Sequence, residues 1–122
     1  IAAWIGNWLF YVQHQFEETY WARRPHWDAT EAALHGSSYY DLPVVLRWIT
    51  ANIGVHHVHH VSSRIPFYRL NTVLKHHPKL KNVGRIRFFE SIRLAGLALW
   101  DEAGQQLISF GQFNRAYALA RI

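Results

Sequence analysis

Residues 55–61 read Val55-His56-His57-Val58-His59-His60-Val61, four imidazoles in five positions framed by valines. On a helix, at 100° per residue, His56 falls at 0°, His59 at about 300° and His60 at about 40°. Those three rings share an arc of about 100°, one turn apart. Imidazole is the commonest nitrogen ligand for iron and zinc. The run is nearly palindromic, so His56, His57 and His60 also span about 100°. Periodicity alone does not say which three belong together. Four unpaired imidazoles inside an apolar helix are costly without metal or hydrogen-bond partners. A metal site is therefore the expectation, with surface histidines as the alternative. One helix cannot complete such a site. His14, at the end of an apolar run, is the nearest further candidate, with Glu17 and Glu18 within a turn of it.

Outward from the cluster, the chain reads as mainly α. Residues 1–12, IAAWIGNWLFYV, hold no charge, and Asn7 is their one strongly polar residue. A membrane span needs about 20 apolar residues. The run is either the end of a span whose beginning is missing or a buried helix. Trp4, Trp8, Tyr11, Tyr20 and Trp21 suit a membrane–water boundary, and Arg23 and Arg24 place the following residues on its cytoplasmic side. Pro25 ends any helix that continues this far. Asp28-Ala29-Thr30-Glu31 has the form of a capping box opening a short helix, which Gly36-Ser37-Ser38 stops. Leu42-Pro43 restarts a helix carrying an apolar stripe of Val44, Val45, Trp48, Ile49, Ile53 and Val55. Gly54 marks a break before the histidines. Ser62 to Pro66 is a turn, and Pro66 opens a helix through about Lys75, closed by His76-His77-Pro78. Arg85 to Leu99 is amphipathic and basic. Trp100 to Gly104 followed by Leu107 to Phe110 suggests a small hairpin. The last dozen residues carry no clear signal.

Composition narrows the chemistry. The 122 residues are 50% hydrophobic and 16% aromatic, too apolar for a disordered chain. With no Cys, disulfides and thiolate-held zinc or iron–sulfur centres are excluded. The net charge of +5 suits an anionic surface or nucleic acid. Nucleic acid is not expected, because zinc-finger spacing, an RNA-binding sheet motif and a Gly-rich phosphate loop are all missing. There is no Met, even at position 1, which suggests a fragment.

Three phrases in order then carry a resemblance. His56-His57-Val58-His59-His60, followed by Ser63-Arg64-Ile65-Pro66-Phe67-Tyr68, resembles the third histidine box, H-x-x-H-H, of membrane fatty acid desaturases. Trp8 to Glu17, with Gln13-His14, is similar to that family's L-x-Q-H stretch. Trp27-Asp28 through Ala32-Ala33-Leu34-His35-Gly36-Ser37 is similar to its W-D-x-x-x-A-A-L-x-G-S run. The resemblance covers about residues 4–82 and fits the methyl-end, delta-12 or omega-type acyl-lipid branch in a bacterial style. The first two boxes of the family are absent from this chain.

The resemblance implies the C-terminal part of a helical, membrane-embedded enzyme. Residues 1–13 would end a transmembrane helix, 14–82 form the metal-site region, and 83–122 a basic cytosolic tail. It implies two iron ions in a non-haem di-iron centre, with His56, His59 and His60 as box ligands and His14 as the extra one. His57 fills a variable position, and no acid–base residue is implied. The implied partners are an acyl lipid or acyl thioester, O2, membrane lipids and an electron donor such as ferredoxin or a small cytochrome. The implied location is a bacterial inner membrane, with residues after about 13 on the cytoplasmic side. Membrane di-iron hydroxylases share the boxes and are the nearest alternative; a soluble non-enzymatic metal or nucleic-acid binder is the more distant one.

Overall fold

The computed structural model describes residues 1–119 and is mostly helical. Helix α1, Ala2–His14, takes up the apolar run. Among the described residues no helix is long and apolar enough to cross a membrane. Along α1, Val12 and Gln13 are buried, whereas Trp4, Ile5 and Phe10 stand exposed.

Helix α2, Ala29–His35, starts where the Asp28 side chain accepts from the amides of Thr30 and Glu31, at 2.8 and 2.9 Å. These bonds satisfy two of the donors that any helix start leaves open. Strand β1, Tyr39–Asp41, follows, then α3, Val44–Ile49, with Pro43 as its N-cap. The apolar stripe expected here ends early and faces outward: Val44, Val45, Trp48 and Ile49 are all exposed. Ala51 and Asn52 turn the chain in left-handed backbone geometry, φ 51° and 55°. Helix α4, His56–Val61, is the histidine run itself. A 3-10 turn at Phe67–Arg69 leads into α5, Leu70–His76, so the segment after Pro66 is helical but not one continuous α-helix.

The amphipathic stretch from Arg85 divides into three elements. Strand β2, Arg85–Arg87, pairs in parallel with β1, Tyr40 opposite Ile86. Helix α6, Phe88–Leu94, is opened by Glu90, whose carboxylate accepts from the Arg87 amide at 2.8 Å. Strands β3, Leu97–Asp101, and β4, Gln106–Ser109, make the expected antiparallel hairpin. Helix α7, Phe110–Leu119, closes the described chain where the sequence carried no signal.

The main core gathers Val12, Phe16, Tyr40, Leu42, Ile86, Leu94 and Leu97. Residues from α1, β1, β2, α6 and β3 thus share one apolar interior, whose burial is the chief stabilising term. Tyr40 Oη and Ser91 Oγ hydrogen-bond at 2.9 Å within it, tying α6 to β1. The Tyr11 hydroxyl donates to the Leu97 carbonyl at 3.0 Å. A second cluster, Val55, Val58 and Leu70, packs α4 onto α5.

Candidate metal centre

Strand β1 sets the site. The Ser38 amide, just before it, donates to the carbonyl of Gln13 at 2.9 Å, which fixes the end of α1. The Tyr40 amide donates to the Gly54 carbonyl at 2.8 Å, and Tyr39 bridges Val55, which fixes the start of α4. Two elements about 40 residues apart in sequence are therefore held to one three-residue strand. A Cβ on Gly54 would sit 2.3 Å from the Tyr40 carbonyl oxygen. Only glycine permits that approach.

His14, the last residue of α1, consequently meets the first turn and a half of α4. One nitrogen from each of His14, His56 and His60 lies within 4.8 Å of the others. His56 and His60 are one turn apart and present the same face of α4. Their ring centroids are 4.5 Å apart, and His14 lies 4.9 Å from His56 and 5.2 Å from His60. His59 is the fourth ring, stacked on His56 at 5.6 Å, but its nitrogens stand outside the triad. It lines a 530 Å³ cleft with Ile53, Ile65, Pro66, Phe67 and Leu70. Glu17 and Glu18 are exposed and do not join the cluster.

His57 points elsewhere. It is fully buried, and its Nε2–H donates to the Leu80 carbonyl at 2.9 Å. In a run of four histidines, one is thus a packed core residue.

The donor chemistry fits a cation. His14 Nδ1 lies 2.8 Å from the Phe10 carbonyl oxygen, and a carbonyl only accepts, so the proton sits on Nδ1. That leaves His14 Nε2 as an acceptor, to which His60 Nε2–H donates at 3.1 Å. Metal-bound histidines are commonly oriented by a bond such as that of Nδ1, from the nitrogen opposite the metal. His56 Nδ1 is shut off from solvent without a hydrogen-bond partner. Burial lowers the His56 pKa to about 3, helped by the neighbouring charges of His60, His14, His59 and His57. The same causes, burial first, lower that of His60. Burial also lowers His57, against the opposing pull of the Leu80 carbonyl. At neutral pH His56 and His60 therefore offer uncharged imidazoles, the form that binds metal.

Comparison with known proteins agrees with this arrangement. The family model described as fatty acid desaturase matches residues 1–89. A fatty acid desaturase of Bacillus subtilis is 47% identical over 110 residues, 90% of this chain and 31% of that protein. The sn-1 oleoyl-lipid 12-desaturase of Synechocystis sp. is 33% identical over 76 residues, 55% of this chain and 22% of its own. The chloroplastic omega-6 fatty acid desaturase of Arabidopsis thaliana is 32% identical over 76 residues, 55% and 17% respectively. The chain thus spans about a third or less of the length of these relatives. No solved structure matches it. With the histidine cluster and both flanking phrases inside the matched region, the chain belongs to the fatty acid desaturase family.

Proposed function

We propose that these residues supply part of the iron site of an O2-dependent acyl desaturase of the delta-12 or omega type. The observation that carries this reading is the convergence of His14, His56 and His60 nitrogens from two elements. His14, His56 and His60 would hold an iron ion. His59, adjacent to them, would serve the second ion of a pair whose other ligands lie outside this chain. Bound iron supplies the oxidising power toward an unactivated C–H bond that no side chain possesses.

The chain's own residues have narrower tasks. The Phe10 carbonyl keeps the His14 proton on Nδ1 and turns Nε2 to the site. His57, bonded to the Leu80 carbonyl, ties α4 to the 3-10 turn at Pro78–Lys81. The cleft beside His59, walled by Ile53, Ile65, Phe67 and Leu70, is apolar enough to receive part of an acyl chain and exclude water. Outward-facing Val44, Val45, Trp48 and Ile49 form a patch that suits the edge of a bilayer. In this reading α1 ends a membrane helix and residues 14–82 lie on the cytoplasmic side, with 83–119 folded beside them.

Electron bookkeeping specifies the partners. Taking two hydrogens from –CH2–CH2– and reducing O2 to two waters consumes two further electrons and two protons. An external electron donor, such as a ferredoxin or a small cytochrome, would supply these electrons. Membranes from cells expressing the gene are expected to add a double bond to an acyl chain and consume O2. His60→Ala is expected to remain in the membrane but lose both iron and product. Iron and product undiminished in His60→Ala would refute the assignment.

A further inference from the structure

A 290 Å³ pocket lies on the far side of α4 from the histidine cluster, with buried His57 in its wall. Four cations surround it: Arg47 from α3, Lys75 from α5, Lys81 from the 3-10 turn at Pro78–Lys81, and Arg85 from β2. No carboxylate lines it. Arg85 pairs with the adjacent Asp41, its Nε 3.2 Å from Oδ2, and lies over the Tyr39 ring. Among the described residues Arg47, Lys75 and Lys81 have no acidic partner. With Arg85 compensated by Asp41, three unpaired positive charges remain around one concavity, and a concave wall of one sign focuses its field on an anion. Leu74, Leu80 and Val83 give the same pocket an apolar side. A pocket of this volume accommodates a small anionic group rather than a protein surface.

We propose that this pocket binds the phosphate of an anionic glycerophospholipid headgroup. The cations hold the phosphate, and the apolar side seats the glycerol end of the lipid. Through α4, whose full diameter is about 10 Å, the headgroup site stands back to back with His56 and His60. The assignment of a lipid rests on the desaturase reading above; the assignment of an anion rests on the unpaired cations alone.

The test uses the full protein in detergent, titrated with phosphatidylglycerol and with phosphatidylcholine, and bound lipid counted by native mass spectrometry. Phosphatidylglycerol is expected to be retained at least about tenfold more strongly than phosphatidylcholine. The double variant K75E/K81E is expected to lose that preference by about tenfold or more. R24E/R115E, which makes the same charge change at exposed positions away from the pocket, is expected to keep it. Soluble sn-glycerol 3-phosphate at millimolar concentration separates the sources: weak competition supports a membrane lipid, whereas binding as tight as that of the lipid overturns the lipid and leaves a free phosphate ester. Equal loss in both double variants would overturn the pocket, since charge alone would then be attracting lipid. Iron content of the same preparations is read in parallel, so that failure of the metal reading shows there and not in lipid retention.

Discussion

At the scale of single residues, adjacent histidines do opposite things. His56 faces a cluster of imidazoles with an unpartnered buried nitrogen, and His57 is spent on the Leu80 carbonyl. His57→Phe keeps the bulk but leaves that carbonyl without a donor. It is expected to cost about 1–3 kcal/mol, measured by urea denaturation, while iron per folded chain stays unchanged. Loss of iron at unchanged stability would reverse the roles of the two residues. The pH response follows from the lowered pKa values. In the folded chain His56 titrates near 3, below its value of about 6.5 when unfolded. Between those values the unfolded chain holds more protons, so stability rises with pH. It is complete above about pH 6.5 and is drained as the pH falls toward about 3; His57 and His60 shift in the same direction. Thermal melts of metal-free protein at pH 7.5, 5.5 and 4.5 are expected to show falling midpoints, and a flat series would contradict buried neutral histidines.

At the scale of elements, the site depends on a strand of three residues. Because β1 ties Gln13 on one side and Gly54 on the other, small changes there move His14 against α4. Gly54→Ala places a methyl on the Tyr40 carbonyl and is expected to cost about 1–3 kcal/mol together with most of the bound iron. Full iron binding in that variant would show that the β1 contact does not position the cluster. Several elements were legible before folding: the Asp28 cap, the break at Gly54, the helical histidine run and the hairpin each carry a local signal. The parallel pairing of β1 with β2 carries none. Three residues per strand are too few for alternation to show, and the partners lie more than 40 positions apart. The stripe at Val44–Ile49 was legible as apolar but not as outward-facing, because periodicity reports a face without saying what covers it. Periodicity alone left His57 open, since a palindromic run gives two equivalent arcs; the resemblance set position 57 apart, and the Leu80 carbonyl is what holds it.

At the scale of the whole molecule, the two surfaces of α4 divide the work. One side presents His56 and His60 to His14; the other closes a cationic pocket through His57. The resemblance read from three short phrases reached the family; of the four rings it implies, His14, His56 and His60 converge and His59 stands beside them. It did not reach the folding of residues 85–109 onto α1, since Ile86, Leu94 and Leu97 enter the core singly from separate elements. What the fold adds is a reason for the phrases to stand in that order: the second and third supply β1's neighbours and α4, and the first supplies His14. Anomalous diffraction at the iron edge, from crystals of the iron-loaded protein, tests this most directly. An iron peak about 2.0–2.2 Å from a nitrogen of each of His14, His56 and His60 is expected. Iron bound elsewhere, with those three rings turned to solvent, would contradict it.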